Sequence, residues 1–323
     1  MNPYFSIIIP CYNCAGLMQR GLRSLETQTS TDFEVIFVDD CSTDNTYTFL
    51  QDYCSLSKLN TQLLHTEKNS GPGKAREAGV RAARGEYIAF MDSDDWYETD
   101  FVEAISEVLR DSFYDMAFFD FYRIYQSGKR KYIPCTLPLS KTSSLHCYAA
   151  MAFESLWGLV IRAGLIKKVR MPALYNSEDA ALVPLLISLS SEVTCVPRPF
   201  YNYLHREQSL STSRNKRICQ GFIEAFDFLL KNMPLEFTAE RNFRGIQLVL
   251  YGAVFKALDA EANKKEVKGI IAAFEGKVPH WKSNEYISQL PLRKRLFLRL
   301  LRMRCFHLLR LYVALQRAFL LLK

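Results

Sequence analysis

Three groups of paired carboxylates stand out in this 323-residue chain: Asp39-Asp40, Asp92-Ser93-Asp94-Asp95 and Glu178-Asp179. In the second, three acids fall within four residues, directly after the apolar run Tyr87 to Met91. Mutual repulsion and desolvation penalise such crowding, so a compensating cation is expected. Carboxylate oxygens suit a hard divalent ion, Mn²⁺ or Mg²⁺, and no Cys or His crowds the cluster. The competing reading is a solvated acidic turn that caps a helix starting near Asp100. A CxxC, Cys11-Tyr12-Asn13-Cys14, reads either as an ordinary turn or as a redox pair, since no second pair completes a zinc site. No G-x-G-x-x-G follows the first apolar run, and Gly71-Pro72-Gly73-Lys74 has the wrong spacing for a phosphate loop. Redox and ATPase classes lose their support there.

The elements that must carry these acids alternate. Strand patterns at Phe5–Pro10, Phe33–Val38, Gln62–Thr66 and Tyr87–Met91 are separated by helical spacing from Leu17 to Gln28, Thr46 to Leu56 and Lys74 to Ala83. Ser42 or Asp44 can cap the second helix. Four alternations predict an α/β fold with a parallel sheet and crossover helices. Ligands bind such sheets at the carboxyl ends of strands, where the first two acidic groups fall. After Trp96 the alternation stops. A helix at Phe101–Leu109, an aromatic-rich strand at Asp115–Tyr125 and a turn at Gln126–Lys131 come next, then a helix within Ser155–Val169. An apolar helix, Leu182–Leu189, has Ser177 as its expected cap and Glu178 and Asp179 in its first turn. Thr194–Tyr203 is a proline-interrupted strand, and from Ile218 onward only helices are expected.

Composition bounds the class. Apolar content of 49% with 23% charged residues is that of a folded soluble protein with one large or two modest domains. The chain opens straight into a strand, without a leader pattern, and no run of ~18 uncharged apolar residues occurs. Nine scattered cysteines fit a reducing cytoplasm better than a disulfide framework. The net charge of +7 is local. Residues 291–323 hold nine Lys/Arg and no acid, leaving 32 basic side chains against 34 acidic ones elsewhere. That balance argues against a nucleic-acid-binding body and for a basic attachment element. Arg295, Arg299, Arg302, Arg310 and Arg317 fall near one helical face, while Leu296, Leu300, Met303, Leu311, Leu315 and Leu322 lie largely elsewhere. Such a helix suits an anionic membrane surface; the competing reading packs it on the body or on a partner subunit.

In order and spacing, Ser6-Ile-Ile-Ile-Pro-Cys-Tyr-Asn13, Val38-Asp-Asp-Cys-Ser-Thr-Asp44, Asn69-Ser-Gly71 with Ala75-Arg76, and Gly85 through Asp95 resemble a family 2 glycosyltransferase of the GT-A fold. Trp157, Glu178-Asp179 and Tyr203-x-His205-Arg206-x-x-Ser209 extend the likeness to about residue 212. The expected domains are therefore 1–212, with a nucleotide-sugar half (1–110) and an acceptor half (111–212), and a helical region, 213–323.

The resemblance implies that Tyr12 stacks on uracil, Asp40 accepts from its N3–H, and Pro10, Asn13 and Gly71 shape the pocket. Asp92 with Ser93 would hold the ribose or donor sugar, and Asp94 the cation that bridges the phosphates. Arg76 braces the nucleotide or the aspartates, or is a surface arginine; Glu77 replaces the family's usual Asn. Asp179, after Glu178, would be the general base, although helix-dipole compensation also explains that pair. Trp157 faces a sugar or joins the core. His205 or Arg206 closes over the diphosphate, with His205 alternatively in the metal shell. The implied activity is inverting transfer of a hexose or N-acetylhexosamine from a UDP-sugar to a saccharide acceptor, lipid-linked or not, in bacterial surface polysaccharide or lipopolysaccharide synthesis. It would occur at the inner face of the cell membrane. The alternative is a non-catalytic nucleotide-sugar-binding or scaffold protein, which loss of Asp94 or Asp179 would have favoured.

Overall fold

The computed structural model describes residues 2–110, 112–135, 137, 144–206 and 217–321, with side chains to 318. Ser209 and Leu322, named above, lie outside them. Two compact units divide the chain: Met1–Ala173 with Leu186–Glu207, and Leu174–Leu185 with Gln208–Lys323.

The first unit is built on one sheet. Its strands are β1 (Phe5–Cys11), β2 (Phe33–Asp39), β3 (Asn60–His65), β4 (Tyr87–Phe90), β5 (Trp96–Tyr97), β6 (Met116–Ile124), β7 (Arg130–Ile133), β8 (Leu159–Arg162) and β9 (Val193–Leu204). They run in the order β3-β2-β1-β4-β8-β6-β9-β5, with β7 paired to β6. Strands β1 to β4 are mutually parallel, as the alternation predicts. Their crossovers are α1 (Gln19–Glu26), α2 (Thr46–Leu56) and α3 (Pro72–Ala82). Both faces of β1 and β2 are covered, so Ile7, Ile8, Val35 and Ile36 are all fully buried. Register does the positioning: Cys11 lies beside Asp39, and Ile8 beside Phe90. The residues after β1, β2 and β4 are thereby gathered at one edge.

The second half of the sheet departs from expectation. Antiparallel β8 pairs β4 and β6, where only a helix was expected. A four-residue apolar run carries no period that distinguishes strand from helix. Strand β7 begins at Arg130, within the last two residues assigned to a turn, and α1 begins after Leu17, which is exposed. Helices α4 (Phe101–Arg110), α5 (Leu145–Met151) and α6 (Ala163–Ile166) complete the covering of this unit.

Helix α7 (Glu178–Leu189) divides between the units, its residues through Leu185 grouping with the helical one. Within that unit the preceding segment is seated on α8 (Arg217–Asn232). Arg217 lies over the Tyr175 ring at 4.2 Å, and Asn176 Nδ2 donates to the Ile218 carbonyl. Asn176 packs so closely on Gly221 that a Cβ there would meet its Oδ1 at 2.1 Å. These contacts explain why residues 174–185 join the helices rather than the sheet domain expected to run to 212. The unit continues through α9 (Thr238–Gly245), a π-helical stretch (Ile246–Ala253), α10 (Val254–Asp259) and α11 (Lys264–Lys277), whose Asn263 and Glu266 form a capping box.

The basic tail is two helices, α12 (Leu292–Arg302) and α13 (Phe306–Leu321), broken where Arg304 takes φ 56°. Phe297, Leu298, Leu301, Leu309, Tyr312 and Val313 are buried within this unit. The tail therefore packs on its own body along one face. Leu296, Met303, Leu311 and Leu315, expected to form the apolar face, stay exposed along another.

Candidate active site

At the carboxyl edge of the parallel strands, the loop after β1 is tied to the loop after β2. Asn13, in the left-handed region at φ 49°, accepts through Oδ1 from the Thr43 amide (2.8 Å) and donates through Nδ2 to Thr43 Oγ1 (3.1 Å). Thr46 Oγ1 accepts from the Cys14 and Ala15 amides at 2.8 and 3.0 Å. Pro10 stands one residue before the end of β1, beside Val38. Tyr12, clamped between these ties, is 46% exposed and presents its ring to solvent. Asp44 Oδ1 accepts from the Thr46 amide at 2.9 Å, but the N-cap position of α2 falls to Asn45, which makes no side-chain cap bond, rather than to Ser42 or Asp44. Cys11 and Cys14 are buried free thiols, Cys11 donating to the Ile9 carbonyl.

Asp39 and Asp40 do different work. Asp39 is fully buried and accepts from His65 Nδ1 (2.8 Å) and the Ser42 amide (3.2 Å). Asp40 accepts from Thr66 Oγ1 (2.9 Å) through Oδ1 and from the Ser70 and Gly71 amides (2.9 and 2.7 Å) through Oδ2. It thus fixes the loop that opens α3, where Gly71 takes φ 85°.

From α3, Arg76 is 5% exposed, and its Nη2 donates to Asp92 Oδ1 at 2.8 Å. It is the brace of the aspartate cluster rather than a surface arginine. Glu77 turns the other way, to Lys74 (2.7 Å) and Arg81 (3.1 Å) on its own helix. Burial raises its pKa, but the Lys74 and Arg81 contacts together outweigh that and lower it.

The three acids after β4 do not share one role. Asp95 is 1% exposed and turns inward: its Oδ2 accepts from Tyr201 Oη (2.9 Å) and its Oδ1 from the Leu204 amide (2.7 Å). The same Tyr201 oxygen accepts from the Asp92 amide at 2.9 Å. Burial, reinforced by the Asp92 and Asp94 charges, pushes the Asp95 carboxyl well above its ordinary range. Asp95 is therefore a strut pinning the acidic loop to β9, not part of a three-acid cation cage. Helix α1 presses on the same loop, and a Cβ at Gly21 would meet the Asp95 carbonyl at 2.9 Å. Asp94 pairs with Arg206 Nη2 at 2.5 Å; burial, then the Asp92 charge, raises its pKa against that pairing. Ser93, between them, is half-buried.

Asp92 and Asp94 offer the hard oxygen donors a divalent cation takes, and their side chains keep 30% and 14% of their surface exposed. The pair fits such an ion shared with a ligand's oxygens. Among the described residues no group of three or more His, Cys, Asp or Glu is arranged to hold a metal by itself. His205 sets its ring edge-on to Tyr125 at 5.8 Å, and its amide donates to the Ile124 carbonyl. Trp157 is a core residue: 6% exposed, it lies parallel to Tyr201 and Tyr203, at 4.6 and 5.5 Å, with Phe121 and Phe153 at its edges. A sugar-facing role for it is withdrawn. Glu178 is buried at the start of α7 with Asp179, in the helical unit. Ser177 there takes φ 66°, and its carbonyl accepts the first helical bond from Ala181. Sequence reasoning missed Tyr201 and Thr46; the period-2 partnership of Tyr201 with Tyr203 on β9 was the available signal for the first.

A parallel βαβ half with acids from two strand ends, extended by antiparallel strands and a helical region, is the GT-A glycosyltransferase architecture. Residues 6–165 match the model of Glycosyl transferase family 2, and the chain belongs to that family. It is 27% identical over 252 residues to Glycosyltransferase GlyA of Streptococcus pneumoniae, a match spanning 72% of this chain and 35% of that one. Over 95 residues it is 44% identical to Poly(ribitol-phosphate) beta-N-acetylglucosaminyltransferase TarS of Staphylococcus aureus, covering 28% of this chain and 16% of TarS. The aligned segments thus span about a third of GlyA and about a sixth of TarS. The crystal structure of TarS 1–349 in complex with UDP-GlcNAc superposes with a TM-score of 0.68 at 20% identity, covering 98% and 92% of the two chains. The mannosyltransferase PcManGT of Pyrobaculum calidifontis, in complex with GDP-Man and Mn²⁺, gives 0.57 at 16% identity, covering 97% and 86%.

Proposed function

We propose that this chain moves a hexose or N-acetylhexosamine from a UDP-sugar to a saccharide acceptor, with inversion, in bacterial cell-surface polysaccharide synthesis. The observation that carries the reading is one strand edge holding an exposed ring, Tyr12, an anchored carboxylate, Asp40, and the braced pair Asp92 and Asp94. Tyr12 stacks on the uracil, whose N3–H donates to the Asp40 carboxylate, itself held still by backbone amides. Asp92, positioned by Arg76 and Tyr201, takes the ribose or donor sugar. Asp94 would hold Mn²⁺ or Mg²⁺, which when bound neutralises charge on the departing diphosphate. Arg206, paired with Asp94, offers that diphosphate bidentate contacts. The family resemblance gives the role of general base, which takes the proton from the acceptor hydroxyl, to Asp179; a single base suffices when the leaving group departs as a stabilised diphosphate. The UDP-GlcNAc complex of TarS and the Mn²⁺ complex of PcManGT support the donor class and the cation.

The tail supports peripheral attachment to an anionic membrane at the cytoplasmic side and, with it, a lipid-linked acceptor. Leu296, Met303, Leu311 and Leu315 are exposed among Arg293, Arg295, Arg299, Arg302 and Arg310, in a segment without a single acid. No helix among the described residues is long and apolar enough to cross a membrane.

Thermal unfolding with UDP, GDP and a panel of UDP-sugars, with and without Mn²⁺, tests the donor site. A ligand at ~100 times its dissociation constant stabilises the native state by about 2.7 kcal/mol. A metal-dependent shift with UDP, lost in Asp94→Ala, is expected; no shift with any nucleotide refutes the assignment. The anomeric configuration of the product, read by NMR, tests inversion.

A further inference from the structure

Two arginines neutralise the two outward-facing acids, and they are not equivalent. Arg76 is buried at 5% exposure and held on α3 under the loop, so its pairing with Asp92 at 2.8 Å belongs to the folded framework. Arg206 stands just beyond β9 with 41% of its side chain exposed, and Asp94 is its ion pair, at 2.5 Å. The Asp94 side chain is itself only 14% exposed. A carboxylate so little exposed, two residues from the Asp92 carboxylate, is stabilised by a positive partner. An exposed arginine pair of this kind is weak enough to exchange, whereas a buried one is not.

We infer that Arg206 is a stand-in cation: it occupies Asp94 until a divalent ion arrives, and then moves its guanidinium to the donor's diphosphate. The inference rests on the donor-site reading above and adds an order of events to it. Metal alone must displace Arg206 and binds poorly. Metal arriving with the nucleotide offers Arg206 a second anion as it leaves the first, so the two ligands load together. Arg206 thus has opposite effects on two ligands, a signature a purely structural ion pair does not have.

The test measures two affinities in Arg206→Gln. Free Mn²⁺, followed by electron paramagnetic resonance without nucleotide, is expected to bind the variant about two- to fivefold tighter than wild type. UDP at saturating Mn²⁺, followed by calorimetric titration, is expected to bind roughly tenfold weaker. Arg206→Lys keeps the charge and is expected to hold Mn²⁺ affinity near wild type while recovering only part of the UDP affinity. Unchanged or weakened Mn²⁺ binding in Arg206→Gln overturns the inference, as does unchanged UDP binding. If wild type binds UDP with Mn²⁺ and the variant matches it in both, only the exchange is wrong. If wild type binds neither, the donor site itself is wrong and the exchange falls with it.

Discussion

The hydroxyl of Tyr201 is one atom holding two ends of the proposed donor site, and Tyr201→Phe removes it without changing the ring. The tyrosine is fully buried, stacked on Trp157 at 4.6 Å, so the phenylalanine keeps its packing. Lost are the bond to Asp95 Oδ2 and the bond from the Asp92 amide, both 2.9 Å. A hydrogen bond to a charged group contributes about 1.5–3 kcal/mol, and leaving a buried partner unsatisfied is penalised on the same scale. Shared strain relief in one loop makes these less than additive, so a loss of about 2–3 kcal/mol is expected. For a unit of this size that is a drop of roughly 4–12 °C in melting temperature. The same change loosens Asp92 and, through the loop, Asp94, so the UDP–Mn²⁺ thermal shift shrinks as well. Tyr203→Phe is the control: its ring lies over the same tryptophan at 5.5 Å, and a change under about 0.5 kcal/mol is expected. Urea unfolding and the ligand shift, measured on both variants, decide the matter. If Tyr201→Phe costs less than about 0.5 kcal/mol and leaves the ligand shift intact, the strut is wrong.

Three further outcomes follow from other parts of the molecule. Asp179→Asn is expected to lower transfer by about 10²–10⁴-fold while UDP binding is retained; parallel loss of binding would remove the base assignment. Glu34 accepts from Ser6 Oγ and from Arg84, and although burial opposes it these contacts hold its carboxyl below the usual range. A depressed native pKa stabilises the fold above the unfolded value, ~4.3, and that contribution disappears as pH falls through the native one. Glu34→Gln should therefore be less stable than wild type by about 1–3 kcal/mol at pH 7, with the gap closing below about pH 4 in denaturant titrations. Replacing Leu311 and Leu315 with serine should release the protein from anionic vesicles in sedimentation, and high salt should weaken wild-type binding; equal binding to neutral vesicles would contradict the role of the arginines.

Strand-end chemistry was legible in the sequence because it is local. Parallel strands with short crossovers bring the residues after β1, β2 and β4 to one edge, so apolar runs ending in Asn13, Asp40 and Asp92 specify their own neighbourhood. The helical character of the described residues after Ile218 was legible for the same reason of local periodicity. What the tertiary structure alone decided is direction. Asp92, Asp94 and Asp95 look alike in the sequence, yet one is braced by Arg76, one pairs with Arg206 and one is buried against Tyr201, partners 16 to 112 positions away. Trp157 has a composition equally suited to a sugar or a core, and only Tyr201 and Tyr203 arriving on β9 cover its face. The tail has apolar residues on two faces, and which face is buried depends on the helices it meets. Period and propensity act over a few residues; which of several equivalent side chains is desolvated depends on contacts between distant segments, which no local pattern encodes.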